Sequence, residues 1–230
     1  MFLFQDTVQE IATEVFSEDD KSISIVELVV NGGTGSIIII GILLILMFYA
    51  MYIYFERVFA IKAASKLDDD FMNQIKDSIA SGKIAAAKEL CASADSPVSR
   101  LIEKGISRIG KPLDDIHKSI ENAGTLEVYK LEKNVNSLAT IAGAAPMIGF
   151  LGTVIGMILA FHEMATAGGQ AEMGMLAGGI YTAMTTTVAG LIVGIIAYIG
   201  YNHLVSSTGK VVHSMEANVA DFLDHLNEPS

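Results

Sequence analysis

Thr153 stands in one long uncharged segment of this 230-residue chain, and Thr182, Thr185, Thr186 and Thr187 stand in another. A hydroxyl donates and accepts hydrogen bonds but does not titrate near neutral pH. Such groups can line the path of an ion, whereas a group that takes up and releases a proton must come from elsewhere. Each segment also carries a stripe of small residues: Gly149, Thr153, Gly156 and Ala160 in the first, Gly179, Ala183, Thr187, Gly190 and Gly194 in the second. Steps of three and four put each set on one helical face. Lipid-facing surface has no need of small polar residues, so these faces meet other helices or line a narrow polar passage. On periodicity alone, helix packing is the simpler reading. Three consecutive threonines pointing in three directions, with Thr182 one turn from Thr186, lean toward a polar surface offered to something else.

An absence sharpens this. Ile37–Phe55, Leu138–Phe161 and Met175–Tyr201 contain no Asp, Glu, Lys, Arg or His. Ion-translocating membrane proteins keep an ionisable residue in their path despite an insertion cost of about 2.5–3.5 kcal/mol. If this chain conducts ions, a second protein must supply the titrating group.

Other chemistry finds little support. His162-Glu163 opens an HExxH zinc-protease pattern, but Thr166 stands where the second His is required; both read as hydrated interfacial residues, with proton collection at an outer mouth as the alternative. His117, His203, His213 and His225 have no metal-ligand spacing, and no nucleophile–base set has a supporting context, so an enzyme, a metal site and a cofactor are not expected. Asn31–Ser36, NGGTGS, lacks the Gly-Lys-Ser/Thr ending of a phosphate loop and reads as a turn into the first span. Cys91 is the single cysteine, so no disulfide framework exists; it reads as a reduced, half-buried helix residue. Basic residues interleave with acids rather than forming a block, which argues against nucleic-acid binding.

The elements that must position the threonines follow from length and charge. The chain is 51% hydrophobic with mean hydropathy +0.47, and its three uncharged runs each meet the need for about 20 apolar residues across a core of roughly 30 Å. Met1–Asp20 is acidic and lacks a basic start, so the first span serves as the membrane address. Thirteen of the fifteen Lys and Arg lie in 56–137, which places that loop in the cytoplasm and the N-terminus outside. The expected organisation is an external amphipathic segment over 1–36, spans over 37–55, 138–161 and 175–201, a cytoplasmic helical domain over 56–137, an outer loop over 162–174 and a cytoplasmic C-terminal helix over 202–230. Within the outer segment, Phe4, Val8, Ile11 and Val15 form a helical apolar stripe, a frayed tail being the alternative. In the cytoplasmic domain, helices are expected over Asp68–Ser81, Lys83–Ala94 and Pro97–Gly110. Another starts at Pro112 and runs unbroken from Asp114 into the second span. The stripe Val212, Met215, Val219, Phe222 and Leu226 predicts helix packing inside the cell, either on the chain's own helices or between subunits. The fold class is an all-α integral membrane protein with two spans extended into a cytoplasmic bundle.

The second span, AAPMIGFLGTVIGMILAF from Ala144, and the third, GGIYTAMTTTVAGLIVGIIAYIGYN from Gly178, resemble the ExbB/TolQ/MotA family of energy-coupling channel subunits, ExbB-like members most closely. Pro146 and Gly152 belong to the second-span motif. Tyr52–Ala64 and the Ala87, Leu90, Cys91 and Pro97 stretch also fit. The resemblance implies a three-span protein of the bacterial inner membrane that forms a five-subunit ring. Inside the ring would sit an ExbD/TolR-like single-span partner with one membrane aspartate. Proton flow through that aspartate would deliver work to a TonB-like protein and energise outer-membrane transport, with Tol-type envelope maintenance, a gliding-type motor or a non-conducting scaffold as alternatives. By motif, Thr153 and Thr187 correspond to the pore threonines, with Thr182 and Thr186 beside them. One departure stands out: ExbB-like members often carry a glutamate where this chain has Thr182. The threonine-rich wall leaves sodium open as the coupling ion.

Overall fold

The computed structural model describes residues 33–66, 70–166 and 173–227, and all regular structure among them is helical. The expected stripe Phe4–Val15 and the acids Asp68 and Asp69 lie outside the described residues. Among the described residues the chain forms α1 (Gly33–Ala64), α2 (Phe71–Ala80), α3 (Ile84–Ala94), α4 (Pro97–Ile106), α5 (Leu113–Glu132), α6 (Val135–Thr166) and α7 (Met173–Asn227). Helices α1 and α6 have 32 residues each and α7 has 55. At about 1.5 Å per residue these run to roughly 48, 48 and 82 Å, all longer than the hydrocarbon core. Three helices are long and apolar enough to cross a membrane, and each leaves large apolar side chains exposed on its outer face, such as Phe48, Phe150 and Ile199. This is a multi-pass membrane protein.

Two expectations are corrected. The glycine-rich stretch before the first span is no turn from Gly33 onward: Gly33–Ser36 form the first turn of α1, and Ser36 is buried. At the edge of an apolar layer, backbone groups are best satisfied by continuing the helix. The helix expected to run unbroken from Asp114 into the second span is interrupted between Glu132 and Val135, where Asn134 takes a left-handed conformation with φ 63°. Asn tolerates that region better than most residues.

Helix α6 pairs along its length with α7, and α1 lies against both of them. In the span region Ile39, Leu43 and Ala50 of α1 pack with Ile141 and Ala145 of α6 and with Val193 and Ala197 of α7. Beyond the spans a larger core joins α1–α5 to the lower half of α7. The C-terminal stripe packs on the chain's own helices: Phe222 is fully buried, and a Cβ on Gly105 of α4 would lie 2.5 Å from its ring. Lys76 of α2 also pairs with Asp221 of α7 at 2.7 Å.

Local signals explain the short helices. Ser96 and Ser99 form a reciprocal capping box at the start of α4, each hydroxyl accepting the other's backbone N–H at 3.0 Å, with Pro97 in the first turn. Gly82 (φ 70°) and Gly110 (φ 94°) supply left-handed turns after α2 and α4. Polar ties then orient the domain beneath the spans. Arg57, buried toward the C-terminal end of α1, pairs with Glu56 and donates to the Lys130 carbonyl in the last turn of α5 at 3.1 Å. Arg100 of α4 and Lys130 each reach the buried Glu127 carboxylate at 2.7 Å. Burial alone would raise the Glu127 pKa, but hydrogen bonds from Arg100 and Lys130 outweigh it and hold the carboxyl below its usual range.

Candidate functional site

The two small-residue stripes meet each other. Helices α6 and α7 run antiparallel, and their contacts form successive rungs: Ala160 against Gly179, Gly156 against Ala183, Gly152 and Thr153 against Thr186 and Thr187, Gly149 against Gly190, and Pro146 against Gly194. The approach is close enough to involve backbone. A Cβ on Gly190 would lie 2.6 Å from the Ala145 carbonyl oxygen and 2.9 Å from the Gly149 Cα; one on Gly149 would lie 2.7 Å from the Thr186 carbonyl. Small residues make this contact possible, as in other membrane helix pairs.

Three threonines sit on the central rung. The Thr153 and Thr187 hydroxyls are hydrogen-bonded to each other. Thr187 also lies 3.1 Å from the Gly149 carbonyl, and Thr153 lies 3.1 Å from the Ala183 carbonyl. Thr186 donates to the Ala183 carbonyl at 2.7 Å, with the Gly149 carbonyl 3.2 Å away. Each hydroxyl has one proton and two lone pairs. If Thr153 donates to Thr187 and Thr187 donates to Gly149, the Thr153 oxygen keeps both lone pairs for an outside donor or cation.

The threonines occupy different sides of the seam. Thr186 has no exposed surface and crowds Gly152, which also faces Ile39 of α1. It therefore lies on the edge that α1 covers. Thr153 and Thr187 remain half-buried on the other edge. Along α6 that edge continues in helical steps through Pro146 and Gly143, and along α7 through Leu191, Gly194 and Tyr198. There the helices border an open groove of about 450 Å³. Thr182 lies within α7, its side chain outside the described set; Thr185 turns back to the Tyr181 carbonyl at 3.0 Å. His162 and Glu163 fall in the exposed final turns of α6.

Two features were not drawn from the sequence, though one of them was signalled there. Pro146 has no N–H, so the Ala142 carbonyl in the same groove loses its usual helical donor. The proline signalled this, since the orphaned acceptor always lies four residues earlier. Tyr54 of α1 meets His203 of α7, hydroxyl to Nδ1 at 3.2 Å, and nothing in the local pattern foretells a contact 149 residues apart.

The geometry defines a class: an all-helical, three-crossing membrane protein whose second and third crossing helices share a small-residue seam with hydroxyls on its open edge. The chain belongs to the MotA/TolQ/ExbB proton channel family, whose model matches residues 93–217, more than half of its length. It is 28% identical over 199 residues to the Tol-Pal system protein TolQ of Haemophilus influenzae, covering 83% of this chain and 85% of that protein. It is 28% identical over 151 residues to the biopolymer transport protein ExbB of Neisseria gonorrhoeae, covering 59% and 67%. Similarity to a biopolymer transport protein ExbB homolog of Methanothermobacter thermautotrophicus reaches 26% over 164 residues, 71% of this chain and 57% of that relative. The matched family region holds the whole seam and, of the C-terminal stripe, Val212 and Met215, while Tyr52–Ala64 lies before it.

Proposed function

We propose that this chain is the ring-forming channel subunit of an inner-membrane energy transducer, non-enzymatic, and working with an ExbD/TolR-like single-span partner. The observation that carries the reading is the half-buried Thr153–Thr187 pair, on the edge of the α6–α7 seam left open among the described residues, in spans without an ionisable residue. The partner's membrane aspartate supplies the missing titrating group. Its protonated form donates to a threonine oxygen, and its ionised form accepts from one. Five copies around the partner would present the small-residue groove as a smooth inner wall, which lets the partner turn. Each unit charge crossing the membrane delivers about 2.3 kcal/mol per 100 mV, so several ions drive one mechanical step. The 56–137 domain and the C-terminus lie in the cytoplasm, with the N-terminus outside. The relatives carry both ExbB and TolQ names, and the work goes to a TonB-like or a Tol-type periplasmic component.

The contrary reading, a non-conducting scaffold, draws on one observation: the small faces already pack on each other within the chain. Proteoliposomes separate the two. Co-reconstitution with a single-span protein bearing one membrane Asp should make vesicles proton- or sodium-permeable, and Thr153→Ala with Thr187→Val should lower that flux without dispersing the ring. Wild-type coupled flux in the double variant sinks the role of these hydroxyls; ion-tight vesicles with the partner present sink the channel.

A further inference from the structure

Just beyond the inner ends of the spans, α1, α4 and α7 enclose a cavity of about 340 Å³. Its polar lining is Lys62, Lys210, His203, Ser65, Ser207 and Ser214, and among the described residues no carboxylate lines it, in a chain where acids outnumber Lys and Arg by 26 to 15. Among the described residues neither lysine takes part in an ion pair. This contrasts with the groove between α5 and the C-terminal half of α7, whose lining includes Glu121, Glu132, Glu216 and Asp224. The remaining walls of the basic cavity are apolar, among them Val58, Val98 and Val211.

Depth along the helices places the cavity from the headgroup layer to a few ångströms beyond it, Lys210 lying nine residues past Tyr201, about 13 Å. His203 lies two residues past the last apolar position of the third span, about 3 Å at 1.5 Å per residue. Lys62 lies seven residues past Phe55, about 10 Å, and its side chain can reach several Å back toward the bilayer. Headgroups occupy roughly the outer 5–7 Å of each leaflet. If the Tyr54 hydroxyl donates to Nδ1 of His203, the ring proton sits on Nε2, a second donor directed away from that contact.

We propose that this cavity holds the phosphate of an anionic phospholipid headgroup, Lys62 and Lys210 supplying charge, His203 and the serines supplying hydrogen bonds, and the apolar wall receiving the start of an acyl chain. A free phosphate would use the same polar groups but gain nothing from Val58, Val98 and Val211, which favours the lipid. The inference rests on the membrane placement given above and not on ion conduction.

The test uses the full chain, purified in detergent with its partner where one is needed for assembly. Thermal unfolding is followed while titrating dioctanoyl phosphatidylglycerol, dioctanoyl phosphatidylcholine or inorganic phosphate. Phosphatidylglycerol should raise the midpoint saturably, at a concentration at least tenfold below that needed for phosphatidylcholine. K62Q/K210Q should erase that preference and each single variant should weaken it at least threefold. K62R/K210R should keep it, as should K111Q/K118Q, which makes the same charge change at exposed lysines outside the cavity. Equal responses to the two lipids, or a preference left undiminished in folded single variants, would overturn the site. Inorganic phosphate matching phosphatidylglycerol at equal concentration would overturn the lipid as occupant. A chain that keeps the lipid preference while its vesicles stay ion-tight would retain this site and lose the channel function.

Discussion

Replacing Gly190 by alanine probes the seam directly. The new Cβ would stand 2.6 Å from the Ala145 carbonyl oxygen, 2.9 Å from the Gly149 Cα and 3.1 Å from the Gly149 nitrogen. All three are backbone atoms, so no side chain can swing away. Reaching an ordinary contact of 3.4 Å requires α6 and α7 to part by about 0.8 Å at this rung. A radial gap of 0.5–1 Å forfeits roughly a quarter to a half of each dispersion contact, and overpacking a close interface costs about 1–3 kcal/mol. Removing a helical glycine returns at most about 1 kcal/mol. Gly209, on the same helix, has nothing within 4 Å of its would-be Cβ, so Gly209→Ala collects that gain without the clash. The two variants should therefore differ by roughly 2 kcal/mol, with Gly190→Ala the less stable, in dodecyl sulfate unfolding from mild-detergent micelles. The Thr153–Thr187 hydrogen bond should also lengthen, lowering coupled flux. Equal unfolding midpoints for the two variants would refute the backbone-contact reasoning.

Further outcomes follow from neighbouring features. Thr186→Val removes a buried hydroxyl bonded to carbonyls and should cost about 0.5–1.5 kcal/mol in the same assay while leaving ion flux intact; flux falling as in Thr187→Val would place Thr186 on the ion path. Glu127→Gln should lower stability at pH 7 by roughly 1–3 kcal/mol, because it weakens two charge-assisted bonds to a buried group. The folded-state pKa of Glu127 is lowered, so its contribution is complete above about pH 4.5 and is lost as pH falls through the lower folded value; the variant should have a flatter acid limb in unfolding against pH. The Cys91 pKa is pushed up to about 12, first by burial and then by Glu103. Thiolate at pH 8 is then about a thousandfold scarcer than for an ordinary cysteine, and iodoacetamide should label Cys91 only after dodecyl sulfate is added, as mass spectrometry would show.

The crossing helices were legible because uncharged runs of nineteen residues or more leave few soluble alternatives. The small-residue stripes were equally plain, and periodicity marked two faces that pack on each other. It could not name what each face meets, since packing and a passage use the same small residues. Adjacent threonines posed a sharper limit. Thr186 and Thr187 differ by about 100° around α7, and only the position of α1 decides that one is sealed and the other open. The break at Asn134 escaped because a single Asn inside an apolar-periodic helix signals little, and the Arg57 tie to the Lys130 carbonyl joins residues 73 apart.

The rungs between α6 and α7 have a mechanical meaning. A packed leucine or methionine absorbs a small push by adjusting its torsions, whereas glycine has none to adjust. Displacing α6 by a fraction of an ångström therefore drives α7 with it, and the pair behaves as one stiff stave. Against α1 the contacts run through Ile39, Leu43, Leu46 and Met47, longer side chains that yield. Compliance is concentrated at the α1 contacts and stiffness at the hydroxyl-bearing edge, so a load applied to that edge cycle after cycle would be borne by backbone and not dissipated in side-chain rearrangement.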